Sequence, residues 1–309
     1  LFLGLLLITP LISVCLWLSI ANERQWRARE SDDLAVTAQL AARIIEDELT
    51  RTHQIERAIT TREDFRRAVR QRDAATLRTF LDTLSHITPM MERAAVLDPA
   101  GRVVAGMANG AEALEGLAPA PLDALRAYGP LGPEAPSVSD VYVGDQAAGD
   151  KVVLVSCPIR DEERVLGVLQ IQYRLEEVAR WIEKVRVEPD GFVYVTDRRG
   201  YLVAYPFQVL PGRPKNVSDW PPVSAAVRPG TISMLHFPYG AVRRPWTAAV
   251  VELEASGWRV IAQQPDASML RPFYQLVGSF VAVALVLALF IGVMALRWLQ
   301  LHQATLRLL

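Results

Sequence analysis

The stretch VLDPAGRVVA, residues 96–105, returns as VTDRRGYLVA at residues 195–204. Both copies read V-x-D-x-x-G-x-x-V-A. Asp98 and Asp197 stand 99 residues apart, and so do Gly101 and Gly200. Each copy reads as a strand, a tight turn and a second strand. Asp suits the first turn position because its side chain can bond its own backbone two residues on, and Gly tolerates positive φ at the fourth. In the first copy Pro99 also pre-sets φ at the second position. The β-branched residues on either side suit a pleated surface. D-x-x-G turns are common singly; two with the same surroundings indicate a duplicated unit.

The surroundings do repeat. A long irregular stretch follows each copy, and then a further strand pair: 152–159 with 164–173 after the first, and 247–253 with 257–264 after the second. Helical segments precede the first hairpin and lie between the halves. The fold class expected is therefore α+β, with antiparallel sheets carrying helices on one face. Two copies are too few for a solenoid.

The chain has 309 residues, 51% of them hydrophobic, and a formal net charge of −1. That is enough chain for two modest domains, and the charge balance argues against nucleic acid as a partner. Apolar residues gather at the ends. LFLGLLLITPLISVCLWLSIA (1–21) and PFYQLVGSFVAVALVLALFIGVMAL (272–296) carry no charge. Each meets the ~20 residues that one membrane-crossing helix needs. Two such spans put both ends on one side of a lipid bilayer and residues 22–271 on the other. Arg297 and Arg307, just past the second span, favour a cytoplasmic C-terminus. Cys15 lies in the first apolar run and Cys157 in a strand, so no disulfide is expected.

Between the spans, residues 23–72 read as one long helix, with Leu34, Ala38, Ala41, Ile44, Ile45, Leu49, Ile55 and Ile59 at helical spacing. This is a stalk that leaves the membrane. Its apolar stripe either packs on the sheets or forms a dimer seam. Residues 74–93 read as a second helix interrupted near Pro89, and 174–187 as a linking helix. The Gly-, Ala- and Pro-rich stretch 106–137 and its counterpart 206–227 read as segments wrapping the open sheet faces.

The order of these elements resembles the double Cache sensor domain of bacterial transmembrane receptors. SDVYVGDQAAGDKVVLVSCPIRDEERVLGVLQIQYRLEEVARWI resembles the end of that family's membrane-distal module. GFVYVTDRRGYLVAYP, NVSDWPPVSAAV and SGWRVIAQQP resemble its membrane-proximal module. The resemblance implies two tandem PAS-like modules on the stalk helix, flanked by two transmembrane helices, and a ligand pocket in the distal module. It also marks departures. The family's amino-acid-binding subset has an Arg-x-Trp-Tyr phrase in the loop before the distal strands, which residues 106–137 lack. It has a Tyr before the third strand, matched by Tyr142, and an Asp in the last strand, where this chain has Gln172. Gln brings no charge for an α-ammonium group.

The residues carry no catalytic constellation. His53, His86, His236 and His302 sit in unrelated segments without metal-ligand spacing, and neither a nucleophile elbow nor a P-loop occurs. No cofactor, no metal and no enzymatic activity are expected of these residues. The best pocket signal is strand polarity. In VLQIQY (168–173), alternation puts Gln170 and Gln172 on one face, and amides buried there need partners. A ligand, the loop backbone or water could supply them. Tyr142, Asp140 and Asp145 stand at the mouth of the same unit.

The organisation expected is a transmembrane helix at 1–21, a stalk helix at 22–73, a distal module at 74–173, a linker helix at 174–188, a proximal module at 189–267, a transmembrane helix at 272–298 and the start of a signalling helix at 299–309. The function expected is small-molecule sensing, as the sensor region of an inner-membrane histidine kinase that works as a homodimer, its residues 22–271 periplasmic or extracellular. The alternatives are the sensor region of a chemoreceptor or diguanylate cyclase, a non-sensing membrane anchor, and a membrane-tethered enzyme.

Overall fold

The two aspartate turns fold as the same device. Asp98 Oδ1 accepts the backbone N–H groups of Ala100 at 3.0 Å and Arg102 at 2.9 Å. Asp197 Oδ1 accepts those of Arg199 at 2.9 Å and Tyr201 at 2.8 Å. Gly101 and Gly200 take φ of 79° and 81°, a region open chiefly to glycine, and each N–H bonds the aspartate carbonyl three residues back. The shared spacing in the sequence is a shared backbone requirement.

The structure, a computed structural model, describes residues 2–88, 91–108, 137–143, 151–162, 164–174, 179–187, 190–206, 215–240, 243–269 and 271–306. Each aspartate turn joins two strands of its own sheet. The first sheet holds β1 (Arg93–Leu97), β2 (Val103–Ala108), β3 (Ser137–Val138), β4 (Tyr142–Val143), β5 (Lys151–Asp161) and β6 (Arg164–Arg174). Its order is β2-β1-β6-β5-β3, with β4 also paired to β5. The second holds β7 (Phe192–Thr196), β8 (Leu202–Ala204), β9 (Ile232–Tyr239), β10 (Arg244–Glu252) and β11 (Arg259–Pro265), in the order β8-β7-β11-β10-β9. The orders match strand for strand, and every pairing is antiparallel. The edge strand β9 was not expected from the sequence. Its residues are largely exposed or half-buried, and Pro238 within it is tolerated because an edge has a free side.

Helix α1 (Phe2–Thr60) runs along both sheets, touching β9, β10 and β11 of the second and β5 of the first. Its stripe Leu34, Ala38, Ala41, Ala42, Ile45 and Leu49 is buried, in one apolar core that also takes Val195, Ala249, Trp258 and Val260 of the second sheet and Val96, Val155, Leu169 and Ile171 of the first. Beyond Leu49 the buried positions turn polar: Thr52, Glu56 and Thr60. Ile55 and Ile59, expected in the stripe, are only partly buried. On the opposite side Val36 and Leu40 are 63% and 54% exposed.

The stalk does not continue to residue 72. It ends at Thr60, and α2 (Glu63–Gln71) starts afresh after Arg62 turns extended at ψ 133°. The hydroxyls of Thr60 and Thr61 both donate to the Arg57 carbonyl. Side-chain bonds of that kind compete with the helical ladder. Helix α3 (Ala74–Ile87) is capped by Asp73, whose carboxylate accepts from Ala75 and Thr76. Pro89 lies outside the described residues, as do 109–136 of the first wrapping stretch and 207–214 of the second. Of the linking helix, one turn at 179–181 is described.

After the short helices α4 (Pro221–Ser224) and α5 (Asp266–Met269), α6 (Arg271–Leu306) leaves the second sheet. Its 22-residue segment Val277–Trp298 has a mean hydropathy of 2.8, with none of it buried. Among the described residues this is the one helix long and apolar enough to cross a membrane. Helix α1 packs against it.

Candidate functional site: the open faces of the two sheets

In both sheets one face is sealed by α1 and the other is turned away from it. In the second sheet that other face carries an apolar cluster of its own, with Val217, and Val223 of α4, packed on Phe192, Tyr194, Ala248, Val250 and Ile261. In the first sheet Leu169, Ile171 and Tyr173 of β6 point to the helix face, and Val168, Gln170 and Gln172 point away. Strand polarity had placed both glutamines on one face, and the register agrees. Each finds a protein partner. Gln170 Nε2 donates to Ser156 Oγ on β5 at 3.4 Å, and Gln172 Nε2 donates to Glu92 at 3.0 Å.

The cross-strand partner of Gln172 is Arg93. Arg93 therefore lies on the same open face, half-buried, and its Nε is buried without a hydrogen-bond partner. Among the described residues no carboxylate forms an ion pair with it. A guanidinium held in that way is a ready receptor for a carboxylate. Sequence reading missed both Glu92 and Arg93, because only the register shows that they flank Gln172.

Asp140 is placed elsewhere. Its carboxylate, 15% exposed, pairs with Arg198 at 3.2 Å and Arg199 at 3.4 Å, both on the second aspartate turn. Asp197 Oδ2 reaches across to accept the N–H of Val141 at 2.9 Å, and Arg199 donates to the Val141 carbonyl. The second turn is thus bolted to the segment Val138–Val141 of the first sheet. Asp140, expected at the pocket mouth, takes part in that joint. The same joint sets the two repeated aspartates apart. Burial pushes the Asp197 carboxyl up, whereas the Arg102 backbone N–H and guanidinium hold that of Asp98 down. The Tyr142 backbone pairs with Val152 at the end of β5, and Asp145 lies outside the described residues.

A family model for the Cache domain matches residues 22–273. The chain belongs to the Cache domain family. The stalk helix, both sheets and the joint between them fall inside the matched range, so the Cache assignment covers the open faces. Three solved structures illustrate the likeness. The ligand-binding domain of the Pseudomonas fluorescens chemoreceptor CtaA in complex with L-isoleucine is 12% identical, with a TM-score of 0.59 over 81% of this chain and 98% of that one. The ligand binding domain of Mlp24 with asparagine is 14% identical, with a TM-score of 0.55 over 81% and 98%. The ligand-binding domain of the Pseudomonas aeruginosa amino acid chemoreceptor PctB in complex with L-Arg is 14% identical, with a TM-score of 0.55 over 76% and 95%. Identities this low speak for the shared fold. Comparison with curated proteins finds no match.

Within this Cache fold the two open faces differ at one telling pair of positions. Aligning the aspartate turns makes Arg93 the counterpart of Phe192, and their partners on the last strands, Gln172 and Gln263, are both glutamine. The first sheet sets a guanidinium beside its glutamine, and the second sets an aromatic ring there. Among the described residues no cluster of His, Cys, Asp or Glu has the makings of a metal site.

Proposed function

We propose that this chain is the sensor and transmembrane region of a bacterial inner-membrane receptor, and that it binds a small carboxylate-bearing molecule on the open face of the first sheet. The observation that carries the reading is the Arg93 guanidinium beside Gln172, with which no carboxylate among the described residues forms an ion pair. Arg93 would clamp the ligand carboxylate. Gln170, Gln172 and Tyr142 would bond its polar groups. Glu92 restores beside Gln172 the negative charge that the glutamine lacks, so an α-ammonium group is compatible with the site. The bound isoleucine, asparagine and arginine of the similar structures make L-amino acids the first compounds to try.

The two sheets with their helices are read as tandem PAS-like modules, distal at 74–173 and proximal at 189–267, joined by 174–188 and carried on the stalk helix that ends at Thr60. Spans at 1–21 and 272–298 flank them, and the helix 299–309 leads toward an output domain. A histidine kinase is the output favoured; a chemoreceptor or a diguanylate cyclase would use the same sensor. The exposed Val36 and Leu40, one helical turn apart on α1, suit a homodimer seam. Signalling would be a population shift, with the ligand favouring one packing of α1 against the sheets and α6 over another.

The test is calorimetric titration with L-amino acids and simple carboxylates. For the compound that binds, Arg93→Gln removes a charge-assisted bond and Gln172→Leu a neutral one. Expected losses are about 1.5–3 and 1–1.5 kcal/mol, roughly tenfold to hundredfold and fivefold to tenfold in affinity. A bystander Gln172, satisfied within the protein, would change stability and leave the dissociation constant untouched.

A further inference from the structure

The open face of the second sheet carries a different chemistry. Phe192, Tyr205, Trp220, Tyr239 and Trp246 form a closed circuit of ring contacts. Going round, the centroids are 5.6, 6.3, 5.7, 5.1 and 5.9 Å apart, and neighbouring planes are inclined by 60–80°. Steep inclinations of that size set the rings as walls and not as a stack. In a five-membered ring with sides of this length the corners stand about 5 Å from the centre, within the ~6 Å at which a cation is attracted to an aromatic face. Trp220 already draws one: Lys215 Nζ lies 5.5 Å from its centroid.

Two polar groups share this face, and neither has a hydrogen-bond partner among the described residues. Gln263 is fully buried between its strand neighbours Phe192 and Ala248, and neither its Oε1 nor its Nε2 is hydrogen-bonded. Tyr194, two residues along β7 from Phe192 and in ring contact with Tyr205 and Trp220, is fully buried with its hydroxyl unbonded. Buried amides and phenols left in that state are costly and call for an occupant that bonds them.

We infer that the second sheet is a separate small-molecule site, an aromatic box for a methylated ammonium group whose short arm carries a hydroxyl or carboxylate. The cation sits among the five rings. The arm's oxygen accepts from Gln263 Nε2 and from the Tyr194 hydroxyl. Methyl groups suit the site because the ring faces offer them dispersion contact and attract the charge they carry. The site is independent of the carboxylate site on the first sheet, so either can fail alone.

The test is calorimetric titration of the full chain in maltoside micelles with choline and with dimethylbutanol, its neutral isostere with carbon in place of nitrogen. Choline should bind saturably, and the isostere about tenfold more weakly or worse, since the shape is kept and the charge removed. Trp246→Leu keeps apolar bulk and loses the π face, and should weaken choline by a similar factor. If that variant fails to fold, the comparison of choline with its isostere on the native chain still decides. The inference is overturned by absence of saturable choline binding, by equal affinities for the two compounds, or by a folded Trp246→Leu chain that binds choline as the native chain does.

Discussion

Replacing Trp258 by alanine should destabilise the fold by about 3–5 kcal/mol, the range for emptying a buried tryptophan site. Trp258 is fully buried and belongs to the core that α1 shares with the second sheet. The residue is fixed from both sides. Its carbonyl accepts from Leu253, its N–H donates to Ser256 Oγ, and Gly257 before it takes φ of 67°. The surrounding strands pair over their whole length, so the site has little freedom to collapse. Its indole Nε1 has no hydrogen-bond partner. Trp258→Phe therefore removes an unsatisfied donor along with some packing and should cost much less than alanine. Denaturant unfolding of the two variants measures both. A loss under about 1 kcal/mol for alanine would mean that helix and sheet do not share one core.

Glu56→Gln should make the protein more stable at neutral pH, and the advantage should grow as pH rises. Glu56 is fully buried in α1, both its carboxylate oxygens lack partners, and burial raises its carboxyl well above the ordinary 4.5. The unfolded chain gives up this proton near 4.5 while the folded chain keeps it. The folded state then binds more protons, so stability falls with rising pH by about 1.4 kcal/mol per unit. The fall stops once the folded carboxyl itself ionises. Below pH 4.5 both states are protonated, and wild type and variant should nearly coincide. His53, one turn away, acts with the opposite sign: burial lowers it to about 4, so its contribution is lost as pH falls from 6.5 toward that value. The quantity to follow is therefore the difference between Glu56→Gln and wild type at each pH, in which His53 cancels. Parallel stability profiles would show that Glu56 is solvated after all.

What the sequence made legible was local. Asp98, Gly101, Asp197 and Gly200 announce the hairpins because one turn needs those residue types at that spacing. The paired strands β5–β6 and β10–β11 were readable from their β-branched runs. The alternation in VLQIQY put Gln170 and Gln172 on the open face, as the register has them. Less local features stayed hidden. An apolar stripe on the stalk suggested Ile55 and Ile59, but the seam against the first sheet is polar. There Thr52 meets the Tyr173 hydroxyl at 3.2 Å and Thr60 meets the Cys157 thiol at 3.7 Å. Hydropathy ranks such residues as solvent-facing, and only their distant partners make them core. The ion pairs of Asp140 with Arg198 and Arg199 were not legible, because those partners lie about sixty residues on, across a joint between sheets that no periodicity encodes. Arg93 and Glu92 read as an ordinary charged pair until the ladder set them beside Gln172. The aromatic ring drew no attention, since its five members come from five separate segments.

The most direct test of the transmembrane-sensor reading is the side of the membrane on which the sheets lie. Alkaline phosphatase, active only outside the cytoplasm, can be fused after residue 150, within the first sheet's region, and separately after residue 309. The account predicts an active first fusion and an inactive second, with both sheets outside and both chain ends inside. An inactive fusion at residue 150 together with an active one at residue 309 would contradict it.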